Sequence, residues 1–194
     1  MAIEKYEAPV EIEVKFFDVN LDLTRTRLQN VGSVLKTPDR LMRRIVFGHE
    51  MNAAMTCTYG RVRDEGDVVT MSAKYSAVDG DISSQREVQV VVDNFDNAAN
   101  ILQAFGLTPT NYQENWRETW QLEDGTLVEL ERWPELPTYV EIEGASIPSL
   151  QKAASELGLS WASHTTVPTD QLYARHYSLT DNDLSAKLKD LRFD

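Results

Sequence analysis

The stretch PVEIEVKFF at residues 9–17 decides the fold. Glu11, Glu13 and Lys15 alternate with Ile12, Val14 and Phe16. Side chains at i, i+2 and i+4 of a strand share a face, so one face of this strand is charged and the other apolar. The same alternation recurs down the chain. Arg61 and Arg63 share a face in YGRVR at 59–63, as do Ser72 and Lys74 in VVTMSAKY at 68–75. Glu87 and Gln89 share one in SQREVQVVV at 84–92, then Glu129 and Glu131 at 126–133, and Glu141 and Glu143 at 138–143. Arg117 lies on a strand of similar character at 112–122. The opposite positions hold Val62, Val88, Val90, Val128, Leu130, Val140 and Ile142. RLMRRIVF at 40–47 adds one more strand.

Helical patterns and turns separate these strands. Asn20 caps a helix over 20–31 that Gly32 ends, and a second over 93–105 ends at Gly106. DEGD at 64–67 and EDG at 123–125 are hairpin turns, with Glu65 and Asp67 expected to face solvent. Pro134 and Pro137 break the chain before the last strand. Helices follow over 147–157 and 169–177. The tail 178–194 is polar, and a short helix or disorder fits it equally. The reading is an α+β chain with one domain over 1–177, about eight antiparallel strands and a few helices.

Composition bounds the function. The chain has 194 residues, 42% hydrophobic and 26% charged, enough for a packed core. No window approaches about 18 uninterrupted apolar residues, and the N-terminus does not read as a signal peptide, so a soluble, cytoplasmic protein with no membrane contact is expected. Cys57 stands alone, which excludes an internal disulfide and a cysteine-based zinc site. His49, His164 and His176 show no metal-ligand spacing. Trp116, Trp120, Trp133 and Trp161 read as packing residues. With 19 Lys and Arg against 31 Asp and Glu, the net charge is −12, which repels nucleic acid and anionic lipid. A small anion is not excluded, because local Arg, Lys or bound cations can reverse the field inside one site.

Two arrangements satisfy the charged faces. An open antiparallel sheet would turn them to bulk water. A closed barrel would turn them inward, with apolar side chains on its outer wall under helices. The segregation of charge favours the barrel. Acids pair at Glu11/Glu13, Glu129/Glu131 and Glu141/Glu143, while bases gather at Arg61/Arg63, Lys74 and Arg117. Such like-charged pairs repel unless an opposite charge lies between them. Mg²⁺ or Mn²⁺ suits the carboxylates, and a polyphosphate suits Arg forks and Lys point charges.

The ordered set resembles the CYTH superfamily, the triphosphate tunnel metalloenzymes. EIEVK at 11–15 is similar to its ExExK signature; RVR at 61–63, Lys74, REVQ at 86–89, Arg117 and the run VELERWPELPTYVEIE at 128–143 follow in the family's order. The resemblance spans roughly residues 9–177. It implies an eight-stranded antiparallel β tunnel with a charged interior, flanked by helices. It also implies divalent metal, Mg²⁺ or Mn²⁺, and a small-molecule triphosphate as partner. Carried over by motif, Glu11, Glu13, Glu131, Glu141, Glu143 and Glu87 are the metal-side acids. Lys15, Arg61, Arg63, Lys74, Arg117 and Arg44 bind phosphate, and Glu11, Glu13 and Lys15 are the catalytic group. Tyr173 and His176 would close one tunnel mouth. Four departures stand out: Gln89 replaces a second acid, Glu131 replaces an Asp, Asn115 and Trp116 stand where a basic pair is usual, and Arg43 and Arg44 stand in the second strand where many relatives carry an Asp and aromatics. A triphosphate hydrolase, a class IV-type adenylyl cyclase and a non-catalytic triphosphate binder all fit, as monomer or homodimer.

Overall fold

The computed structural model describes residues 12–48, 57–76 and 85–194. The strands are β1 (Glu13–Phe17), β2 (Val34–Gly48), β3 (Cys57–Asp64), β4 (Val69–Ser76), β5 (Gln85–Val92), β6 (Thr108–Gln121), β7 (Leu127–Arg132), β8 (Tyr139–Glu143) and β9 (Asp190–Leu191). The helices are α1 (Leu21–Asn30), α2 (Phe95–Ala104), α3 (Ile147–Glu156), α4 (Thr169–Tyr177) and α5 (Asp181–Leu188). None of the described helices is long and apolar enough to cross a membrane.

One antiparallel sheet runs in the order β1-β8-β7-β6-β2-β3-β4-β5, with β9 added parallel to β6. The expected α+β class and the antiparallel strands are present, but the closed barrel is not. Among the described residues β1 and β5 remain the two edges of the sheet. Each edge strand carries an acid, Glu13 on β1 and Glu87 on β5. The sheet still wraps, because residues of β1, β3, β5, β6, β7 and β8 all line one cavity.

The convex face is apolar, and helices cover it except at β5, where Val88 and Val90 stay exposed. Val14, Phe16, Val128, Leu130, Val140 and Ile142 pack with Leu21 and Leu28 of α1 and Leu150, Ala153 and Ala154 of α3. Ser146 caps α3 through a reciprocal capping box with Ser149. Arg27 of α1 donates from Nη1 to the Leu157 carbonyl at 2.5 Å, locking the end of α3 to α1. Its guanidinium lies so close to Gly158, where φ is +60°, that a Cβ there would meet Nη1 at 2.8 Å. A second apolar cluster sets Phe95, Ala98 and Ala99 of α2 on Phe47 and Val62.

The third cluster closes one end. Trp133 and Tyr139 pack with Leu172 and Tyr173 of α4, Leu184 and Leu188 of α5, and Leu191 of β9. Of the two alternatives for residues 178–194, the helix is the one formed, and the segment belongs to the core instead of trailing from it. Few apolar positions reach inward, but three leucines spaced for one face are enough to anchor it. Tyr173 is fully buried at this end, whereas His176 is exposed.

Candidate active site

The charged faces are the concave ones, and they are buried. Glu13, Lys15, Arg44, Arg61, Arg63, Glu129 and Glu141 are each less than 10% exposed, and Glu131 is fully enclosed. A wet outer sheet face would leave such groups in water. Here the apolar wall is outside, under helices, and the charged wall is inside. Burial on this scale requires each charge to find a partner.

The ladder registers place the partners. Glu13 lies opposite Glu143, and Lys15 opposite Glu141. Glu141 lies opposite Glu129, and Glu131 opposite Arg117. Residues directly across a ladder share a face, so β1, β8 and β7 form an acidic wall. Lys15 sits within it, with Nζ 2.9 Å from Glu13 Oε1 and 3.1 Å from Glu141 Oε2. Burial alone would lower the Lys15 pKa, but Glu13 and Glu141 hold it well above the ordinary lysine value. Burial works against Arg117 in the same way, and Glu129, Glu131 and Glu141 raise it. Glu129 is pushed up to about 8, by burial first, against the pull of Arg117.

The opposite wall is basic. Arg44 lies across from Arg63 in the β2–β3 ladder, and Arg61 is two residues from Arg63 on the same face. Burial, then Arg61 and Arg63, push Arg44 down to about 9; burial, then Arg61 and Arg117, push Arg63 down to about 10. A guanidinium keeps its proton at such a site, so the depression reflects burial first and the crowding of like charges second. Arg44 Nε is buried with no hydrogen-bond partner among the described residues.

A cavity of about 300 Å³ separates the two walls, lined by Glu13, Glu129, Glu141 and Glu143, by Arg61, Arg63 and Arg117, and by Glu87 and Gln89 of β5. Arg61 Nη2 lies 2.6 Å from Glu87 Oε1. Gln89 stands beside the cavity as a neutral group, opposite Ser72 in the β4–β5 ladder. Next to this cavity a second one, of about 180 Å³, shares Arg61 and is lined by Arg44, Asn111, Gln113, Trp133, Asp170 and Tyr173 among others.

Most of the expected site residues therefore converge: Glu13, Lys15, Arg44, Arg61, Arg63, Arg117, Glu87, Glu131, Glu141 and Glu143 all lie on the concave face. Glu11 and the side chain of Lys74 lie outside the described residues; Lys74 itself occupies the β4 position opposite Glu87. Glu131 is placed differently from the other acids. Its Oε1 pairs with Arg117, and its Oε2 accepts from Asn115 Nδ2 and Trp133 Nε1, both at 2.9 Å. Asn115, in turn, accepts from Arg44 Nη2 at 2.6 Å, and the Arg44 guanidinium lies 4.4 Å over the Trp133 ring. Arg43, the neighbour of Arg44, points outward to Asp64 and the Phe95 ring.

Sequence reasoning missed three groups. Glu129 lines the cavity, and its two-residue spacing from Glu131 was the available signal. Arg40, opposite Arg117 in the β2–β6 ladder, shares a face with Arg44 four residues on, and that spacing was the available signal. Glu65, expected in solvent, instead turns back onto Arg40 and Arg63. Asp67 is exposed, as expected.

Among the described residues no three acidic, histidine or cysteine side chains form a ready-made metal cage. The donor chemistry nevertheless suits a hard cation, since Glu13, Glu129, Glu141 and Glu143 offer carboxylate oxygens to one cavity. Lys15 and Arg117 hold several of those oxygens as the residues stand.

No family model and no curated protein matches the sequence. Solved structures do match. A candidate adenylate cyclase from Vibrio parahaemolyticus superposes with a TM-score of 0.69 at 12% identity, covering 87% of this chain and 99% of that one. The PH1819 protein of Pyrococcus horikoshii gives 0.67 at 19% identity, covering 86% and 99%. The Hippeastrum protein HpAC1, a candidate adenylyl cyclase described as revealing a dominant triphosphatase activity, gives 0.54 at 13% identity, covering 88% and 98%. The chain shares the fold of these proteins.

Proposed function

We propose that this chain is a divalent-metal-dependent triphosphate hydrolase acting on tripolyphosphate or on an organic or nucleoside triphosphate. One observation carries the reading: a single cavity has carboxylates on one wall and the buried guanidiniums of Arg61 and Arg63, with Arg44 beside them, on the other. Clustered guanidinium forks suit the oxygens of a polyanion.

Arg44, Arg61, Arg63 and Arg117, with Lys74, would hold the phosphate oxygens by forked, charge-assisted hydrogen bonds. Glu131 and Glu87 act through their neighbours: Glu131 fixes Arg117 and Asn115, and Glu87 fixes Arg61. Lys15 would bring a positive charge to the terminal phosphoryl group from the acidic side. Glu13, Glu141 and Glu143, with Glu11, would hold Mg²⁺ or Mn²⁺, which supplies charge neutralisation at phosphate oxygens. Water attacks the terminal phosphorus, its P–O bond to the remaining diphosphate breaks, and tripolyphosphate yields orthophosphate and pyrophosphate. Positioning and charge stabilisation are what such a transfer asks of the protein.

The adjoining cavity beside Trp133 and Tyr173 favours a second reading, an adenylyl cyclase that holds a nucleoside there. In that case the ribose 3′-oxygen attacks the α-phosphorus and pyrophosphate leaves. Phosphorus NMR with Mg²⁺ or Mn²⁺, run separately on tripolyphosphate and ATP, decides between them. Orthophosphate from tripolyphosphate supports the hydrolase, and cyclic AMP from ATP supports the cyclase. Full turnover in both Glu13→Ala and Lys15→Ala would sink the site assignment.

A further inference from the structure

The β3–β4 turn carries an acid that the phosphate site does not need. Glu65 stands at the end of the basic wall, two residues beyond Arg63, and its side chain is only 12% exposed. Its two oxygens are divided between two arginines. Oε1 accepts from Arg63 Nε at 3.0 Å and lies 2.8 Å from Arg63 Nη2. Oε2 accepts from Arg40 Nη2 at 2.9 Å, and the Glu65 carbonyl accepts from Arg40 Nε at 2.9 Å. Arg40 Nη1 is buried with no hydrogen-bond partner among the described residues.

The turn is built to hold this carboxylate in place. Glu65 N donates to the Val68 carbonyl at 2.9 Å, Asp64 Oδ1 accepts from Gly66 N at 2.9 Å, and Gly66 takes φ +94°. A carboxylate bridging two guanidiniums presents the same charge and the same forked acceptor geometry as a phosphoryl group. Arg40 also lies opposite Arg117 in its ladder, so the basic track runs past the cavity from Arg61 and Arg63 to Arg40.

Resting on the triphosphate reading above, we infer that Glu65 is an end stop for the phosphate chain. It occupies the place between Arg40 and Arg63 that a fourth phosphoryl group would take, and so limits the site to triphosphates. Arg40 is the latent fourth-phosphate residue. A longer linear polyphosphate must displace Glu65 from both arginines and then lie beside its negative charge.

Calorimetric binding of inorganic tripolyphosphate and tetrapolyphosphate, each with Mg²⁺, tests this. The natural protein should bind tripolyphosphate about tenfold more tightly than tetrapolyphosphate. Glu65→Gln and Glu65→Ala should each bring tetrapolyphosphate to at least equal affinity, and Arg40→Ala added to Glu65→Ala should abolish that gain. If the natural protein binds both chains equally, or if the ratio does not move in the Glu65 variants, the end stop is overturned while the triphosphate reading stands. If it binds neither chain, both fall together.

Discussion

Lys15 makes the most exposed bet of any single residue. Its ammonium is almost fully enclosed and touches Glu13 and Glu141 at once. Lys15→Ala removes the ammonium that bridges the buried carboxylates of Glu13 and Glu141. The expected cost at pH 7 is about 3 kcal/mol, with loss of most triphosphatase activity. Urea midpoints of the variant and the natural protein at pH 7 measure it, and a deficit below about 1 kcal/mol would contradict this account. Asp170 gives a second test, away from the main cavity. Burial raises its pKa above the ordinary carboxylate value. A raised acid pKa means stability that is complete below about pH 4 and is lost as pH rises through the folded-state value. Asp170→Asn keeps the oxygen that accepts from Gln171 N and removes the charge. Its melting temperature should exceed that of the natural protein by about 1–3 °C at pH 7 and match it at pH 4.

Among elements, α5 and β9 matter more than their length suggests. Leu184, Leu188 and Leu191 are buried against Trp133 and Tyr173, and Tyr173 Oη donates to the Pro134 carbonyl at 2.6 Å. These contacts close the end of the concave face behind Arg44. Leu188→Ala should therefore cost about 2–4 kcal/mol in denaturant unfolding. It should also weaken binding of a nucleoside triphosphate more than of tripolyphosphate, since Leu188 lines the smaller cavity and not the larger one. An unchanged midpoint would return residues 178–194 to the status of a loose tail. The strands show the converse economy. β7 and β8 are short, yet each carries one apolar and one charged face, and their registers bring Glu129, Glu131 and Glu141 within reach of a single Arg117.

At the scale of the whole molecule, a chain of net charge −12 encloses a cluster of buried guanidiniums, Arg44, Arg61 and Arg63, on one wall of its interior. The outer field repels polyanions at long range, and the inner one attracts them at contact. Among the described residues β1 and β5 do not pair with each other. A polyphosphate bridging both walls should stabilise the fold as a ligand of the native state only. At a hundredfold excess over its dissociation constant, tripolyphosphate with Mg²⁺ should add about 2.7 kcal/mol, raising the melting temperature by about 5–10 °C. Orthophosphate spans one wall and should add little at the same concentration. Equal shifts from both would mean that the walls do not act together.

The alternation in PVEIEVKFF and its later counterparts determined the antiparallel α+β class, the separation of charged from apolar faces, and the choice of most residues that meet in the cavity. That much is local, because a strand's period of two fixes the face of every side chain. Which charge neutralises which is not local. Glu131 and Glu141 have the same spacing in the same kind of strand, yet one is spent on Arg117, Asn115 and Trp133 while the other faces the cavity. Glu65 and Asp67 lie in one turn, and only packing against Arg40 and Arg63 turns the first inward. The two sheet edges and the docking of α5 were likewise decided by tertiary structure, because both depend on surfaces that sequence-distant strands bring together.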